Sequence, residues 1–80
     1  MNIKQAVAAR FLELCTTATI RPNELATLSG ITPSTVYSML DASRGDVRIS
    51  TIKKLCDGLE ISIPDFFDAE IFRALEQEME

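Results

Sequence analysis

Histidine is absent from the 80 residues. That absence removes Ser–His and Cys–His nucleophile pairs and every zinc site built on imidazole ligands. The two cysteines, Cys15 and Cys56, stand far apart and form no CxxC pair. Two isolated thiols leave a zinc ion short of soft ligands, so neither a metal nor a cofactor is expected, and a reduced, cytoplasmic compartment is the default. No carboxylates pair in a way that suggests acid–base chemistry, so the chain does not read as an enzyme. Glycine and proline are scarce, at three residues each. This leaves little room for long loops or many β-turns and favours helices joined by short connections. Apolar runs are a few residues long, too short to span a membrane. The opening Met1-Asn2-Ile3-Lys4 lacks the apolar stretch of a secretory signal, and no small-molecule site is evident.

What remains is a globular balance, 46% hydrophobic against 25% charged, which sets the chain apart from disordered sequences. Its length suits one domain, residues 1–80, with a thin core that buries about 60% of the unfolded surface. Ile3, Val7, Phe11, Leu12, Leu14 and Cys15 recur at helical spacing and predict a first amphipathic helix ending near Thr16-Thr17. Arg21-Pro22, with Glu24 close behind, marks a second helix whose inward residues are Leu25, Ala26 and Leu28. Ser29-Gly30 interrupts it. Thr32-Pro33 opens a third helix, with Thr32 as cap and Val36, Met39 and Leu40 as its apolar stripe. A polar loop covers 41–46. Ser50 or Thr51 can cap a fourth helix carrying Ile52, Leu55 and Cys56 and stopping at Gly58. Ser62-Ile63-Pro64-Asp65 starts a fifth, acidic helix over about 64–80, with a break near Asp68. Its inward residues are Phe66, Phe67, Ile71, Phe72, Leu75 and Met79. The strongest strand signal is the short stretch 47–49.

The informative segment runs from 22 to 41. Two short helices meet at a turn centred on Ser29-Gly30-Ile31, where Gly30 can take a positive φ without strain. Ala26 is small at the expected crossing, so the backbones can approach. This is the pattern of a helix-turn-helix, whose second helix enters the DNA major groove. At about 100° per residue, Val36, Met39 and Leu40 point inward, Ser34, Tyr37, Ser38 and Asp41 point outward, and Thr35 lies between. Small hydroxyl-bearing residues suit base edges and phosphates. Tyr37 suits a sugar or a thymine methyl.

Three stretches carry a resemblance to a known family: Glu24-Leu25-Ala26-Thr27-Leu28-Ser29-Gly30-Ile31-Thr32-Pro33-Ser34-Thr35-Val36, then Ile49-Ser50-Thr51-Ile52-Lys53-Lys54-Leu55-Cys56-Asp57-Gly58-Leu59, then Ile61-Ser62-Ile63-Pro64-Asp65-Phe66-Phe67. In this order and spacing they resemble the lambda-repressor-like, XRE-type transcriptional regulators of bacteria and phages. The resemblance implies an all-α, compact five-helix bundle, here with a C-terminal helical extension. It implies sequence-specific binding of double-stranded DNA as a repressor-type regulator. Pro33, Ser34, Thr35, Tyr37 and Ser38 match the groove-facing positions. Arg21, Asn23, Thr32, Ser43, Arg44, Arg48, Lys53 and Lys54 are the phosphate candidates. Pro22 and Pro33 stand where many relatives carry glutamine, and Asp41 stands where asparagine is usual. Ala42 and Gly45 replace the usual glycine and lysine of the following loop.

Net charge is −4, whereas DNA binders are usually basic. The distribution matters more. Residues 1–56 hold seven basic and four acidic groups, for a net +3, and residues 57–80 hold one against eight, for −7. Few phosphate contacts imply weak binding by one copy, so a homodimer on a two-fold site is expected. Ile71, Phe72, Leu75 and Met79 form a tail stripe that either packs on its own domain or makes that dimer. Cys15 and Cys56 read as packed core thiols and Phe66-Phe67 as core. Lys53-Lys54 reads as a solvated face or as phosphate contacts. The competing function is a protein-interaction module of the same fold, antitoxin-like or an adaptor, whose acidic tail grips a basic partner.

Overall fold

The computed structural model describes residues 1–41 and 43–75. These are helical, in the order α1 (Ile3–Ala18), α2 (Pro22–Ser29), α3 (Pro33–Leu40), α4 (Ile49–Gly58), α5 (Ile63–Phe67) and α6 (Glu70–Arg73). Helices α1 to α5 make the expected five-helix bundle, and α6 is a one-turn extension. The helix starts follow local chemistry. Asn2 Oδ1 accepts the Gln5 amide at 2.8 Å, and Gln5 Oε1 accepts the Asn2 amide at 2.9 Å, a reciprocal cap for α1. Proline stands in the first turn of α2, α3 and α5, where its missing N–H costs nothing. Thr32 and Ser62 cap α3 and α5 by accepting the amides of Thr35 and Asp65.

Three helices end in one hydrogen-bonded device. At the end of α1, Thr19 donates to the Thr16 carbonyl and Ile20 to that of Cys15. Gly30 and Ile31 repeat the pair on Thr27 and Ala26 after α2, as do Glu60 and Ile61 on Asp57 and Cys56 after α4. In each case the first residue is left-handed, with φ of 58°, 70° and 58°, and the isoleucine that follows packs on the core. Only Gly30 adopts this conformation freely.

The core gathers Val7, Phe11, Cys15, Leu25, Ala26, Val36, Met39, Ile52, Leu55, Cys56 and Phe66. Phe66 sits between Phe11, Phe67 and Phe72, with ring centroids 4.3, 4.9 and 5.7 Å away. Arg10 ties α5 to α1, its guanidinium donating to the Phe66 carbonyl at 2.8 Å and the Asp65 carbonyl at 3.0 Å. Cys15 and Cys56 are free and buried. Burial pushes both thiols up, and for Cys56 the neighbouring Asp57 adds to it.

Several sequence expectations need correction. Helix α1 turns Lys4, Val7, Ala8, Phe11 and Cys15 inward, which leaves Ile3 and Leu12 exposed. Leu28 is exposed as well, because α2 buries Leu25 and Ala26 instead. Helix α4 starts at Ile49, without a side-chain cap, after an extended Arg48, so Ser50 and Thr51 lie inside its first turn. Gly58 is the last helical residue, not a left-handed stop. Its role is close packing, since a Cβ there would stand 2.2 Å from Ser29 Oγ. The stretch 47–49 forms no strand, because Ile49 already belongs to α4. The break near Asp68 is present, and it separates α5 from α6.

Candidate nucleic-acid interface

The turn between α2 and α3 sets the site. Gly30, at φ 70°, reverses the chain, and Ala26, fully buried, lets α2 and α3 pack closely. Val36 and Met39 anchor α3 in the core. Their burial fixes the rotation of the helix, so Pro33, Ser34, Thr35, Tyr37 and Ser38 all face outward and are exposed. Tyr37 is 51% exposed. At the head of α3 the hydroxyls of Thr32, Ser34 and Thr35 cluster, with Thr32 Oγ1 3.1 Å from Ser34 Oγ and 2.9 Å from Thr35 Oγ1.

A groove of about 460 Å³ runs beside this face, lined by Thr35, Ser38, Arg44, Asp46, Arg48 and Thr51 among others. It joins the exposed flank of α3 to the first turn of α4, whose uncapped amides carry partial positive charge. Arg44 and Arg48 supply the full charges. One carboxylate, Asp46, lines the groove, and a second, Asp41, neighbours its Arg44; both are internally engaged. Asp46 Oδ1 accepts the Val47 amide at 2.8 Å. Asp41 Oδ1 accepts the Ser43 amide at 2.9 Å and the Ser43 hydroxyl at 2.8 Å, and Arg44 lies 3.9 Å from its other oxygen. The Ser43 amide and hydroxyl hold the Asp41 carboxyl below its usual range against a small burial effect, with smaller help from Arg44 and Lys4.

The remaining phosphate candidates are scattered. Arg21 and Asn23 sit at the start of α2, exposed and outside the groove. Lys54 is exposed on α4, and Lys53 is paired with Asp57 one turn on. Two basic groups counted toward the positive half are unavailable: Lys4 is buried, and Arg10 is spent on α5. Thr51, with Ser50 a candidate cap by sequence, caps nothing and lines the groove instead. Its position in the first turn after Arg48 was the signal for that role. In the tail, Phe72 packs against Phe66 and Phe67 of its own domain. Ile71 and Leu75 are half-buried and line a shallow cavity with Met1 and Ala74. Met79 lies outside the described residues. No described helix is long and apolar enough to cross a membrane.

The family profile of the Cro/C1-type helix-turn-helix DNA-binding domain matches residues 10–70, a span containing α2, α3, α4 and α5 whole. The chain belongs to the Cro/C1-type family. The crystal structure of the prophage Lp1 protein 11 superposes with a TM-score of 0.81 at 34% identity, covering 92% of this chain and 97% of that one. No curated protein matches. The exposed α3 face and the arginine groove thus belong to a Cro/C1-type DNA-binding domain, with α3 as the second helix of its motif.

Proposed function

We propose that this Cro/C1-type domain binds double-stranded DNA sequence-specifically as a repressor-type transcriptional regulator, with α3 laid in the major groove. The observation that carries the reading is the hydroxyl-rich, exposed face of α3 beside a groove lined by Arg44 and Arg48. Ser34, Thr35 and Ser38 would meet base edges or phosphates, Tyr37 a sugar or a thymine methyl, and Thr32, Ser43, Arg44, Arg48 and the α4 first turn the backbone. Arg21, Asn23 and Lys54 would flank that contact. Lys53 would join only by leaving Asp57. The protein acts as a binder, not a catalyst, in the cytoplasm of a bacterium or on behalf of a prophage, the setting named for its structural relative.

So small a set of free cations supports modest affinity per copy, and two copies on a two-fold site supply the rest. Phe72 serves its own core, so a homodimer would draw on Ile71 and Leu75. The test is an anisotropy titration against a randomised duplex library at two salt concentrations. Selective, salt-sensitive enrichment of one sequence supports the reading. Absence of duplex binding at low salt, with stable capture of a basic protein, would replace it by the interaction-module alternative.

A further inference from the structure

Lys4 is only 2% exposed, so no phosphate can reach it. Its ammonium instead crosses from the first turn of α1 to donate to the main-chain oxygen of Asp41, 37 residues away. Asp41 is the residue on which α3 ends. Carbonyls at a helix C-terminus lack intrahelical amide partners and carry excess negative charge, so a cation there is favourable even where, as here, a later loop amide shares the oxygen. A buried ammonium also needs such a partner. The same Asp41 oxygen accepts the Arg44 amide at 3.1 Å, while the Asp41 side chain holds Ser43 through two hydrogen bonds. One buried cation therefore sits at the head of a short relay, Lys4 to Asp41 to Ser43 and Arg44. That relay shapes the turn leaving α3.

We infer that Lys4 is a positioning residue: by fixing the Asp41 carbonyl it sets the turn that delivers Arg44 to the groove. The inference rests on the DNA-binding reading for its purpose, though not for its geometry. Met matches the length of Lys and donates nothing. Arg keeps charge and donors. Gln keeps a donor without charge.

The test uses the full chain as wild type, Lys4→Met, Lys4→Gln and Lys4→Arg, below their melting temperatures. Amide hydrogen exchange is read in the free protein. In Lys4→Met the Arg44 amide should exchange about tenfold faster relative to Leu25 and Val36, the order expected for a lost charge-assisted hydrogen bond. Lys4→Arg should restore most of the protection. Duplex affinity is then read with and without Arg44→Ala. Arg44→Ala should weaken wild type but have less than half that effect, in log units, in the Lys4→Met background. Unchanged Arg44 protection relative to the core, or an equal Arg44→Ala loss in both backgrounds, would overturn the inference and leave Lys4 as an anchor of α1 alone. Should Lys4→Met not fold, Lys4→Gln against Lys4→Arg reads the same contrast. Should wild type bind no duplex, the functional reading falls, and the exchange comparison still decides the role of Lys4.

Discussion

Replacing Tyr37 by alanine separates function from stability. About half of the side chain faces solvent, and a tyrosine has roughly 150–250 Å² to bury, so about 100 Å² remains for a partner. At about 25 cal/mol per Å², complete coverage by DNA is worth about 2.5 kcal/mol. Partial coverage in a groove brings this to about 1–2 kcal/mol, or roughly 5–30-fold in affinity per copy. The fold should barely respond. Val36 and Met39 hold α3, alanine is the better helix former, and exposed substitutions usually stay within about 0.5 kcal/mol. Tyr37→Phe should retain most of the affinity if the ring, and not the hydroxyl, makes the contact. Anisotropy on the selected duplex gives affinity, and thermal unfolding by circular dichroism gives stability. A Tyr37→Ala protein that binds normally would show that this face does not meet DNA; one that melts well below wild type would show that the ring packs the domain.

Asp41→Asn keeps the oxygen that accepts from Ser43 but removes a negative charge beside Arg44. It should tighten duplex binding several-fold at low salt, and unchanged or weaker binding would argue that no phosphate lies nearby. Gly58→Ala should lower the melting temperature, because the new methyl meets Ser29 Oγ at 2.2 Å and the Ser29 backbone at 3.0 Å. Overpacking of this kind costs about 1–3 kcal/mol, or roughly 4–8 °C per kcal/mol in a domain this size, whereas Gly45→Ala, with nothing near it, serves as the neutral control. Both buried thiols have raised pKa values, so their contribution to stability is full below the ordinary thiol range near 8.5 and is lost as pH rises through the raised values. Urea melts across pH 7 to 10 should therefore show declining stability, and Cys15→Ala/Cys56→Ala should flatten that decline; an equal decline in the double variant would assign it elsewhere.

The bundle and the α3 face were legible because their signals are local. Thr32-Pro33 states a helix start, and Val36, Met39 and Leu40 fix its rotation. What escaped the sequence depended on tertiary choice. Helix α1 has apolar residues on more than one face, and periodicity alone chose Ile3 and Leu12, while the fold buried Ala6, Ala8 and Lys4. Lys4 does keep step with Val7, Phe11 and Cys15 at offsets of 3, 7 and 11, but its charge argued against the core until a helix-terminal carbonyl was seen to receive it. The left-handed exits from α1 and α4 escaped the sequence because Thr19 and Glu60 take a turn usually signalled by glycine, and the glycine that is present, Gly58, closes α4 as expected but serves helix packing. The groove was half legible. Arg44 and Arg48 could be named, but their meeting with Thr35, Ser38 and Thr51 depends on the path of the 41–48 connection, which has no helical or strand periodicity to read.

The proposed function requires that α3 be the surface that meets DNA. Amide chemical-shift mapping of the full chain against its selected duplex tests this directly. The predicted result is a set of shifts confined to 32–38, 43–51 and the start of α2. Shifts gathered instead on the outer face of α1 and on α6, with α3 silent, would contradict it.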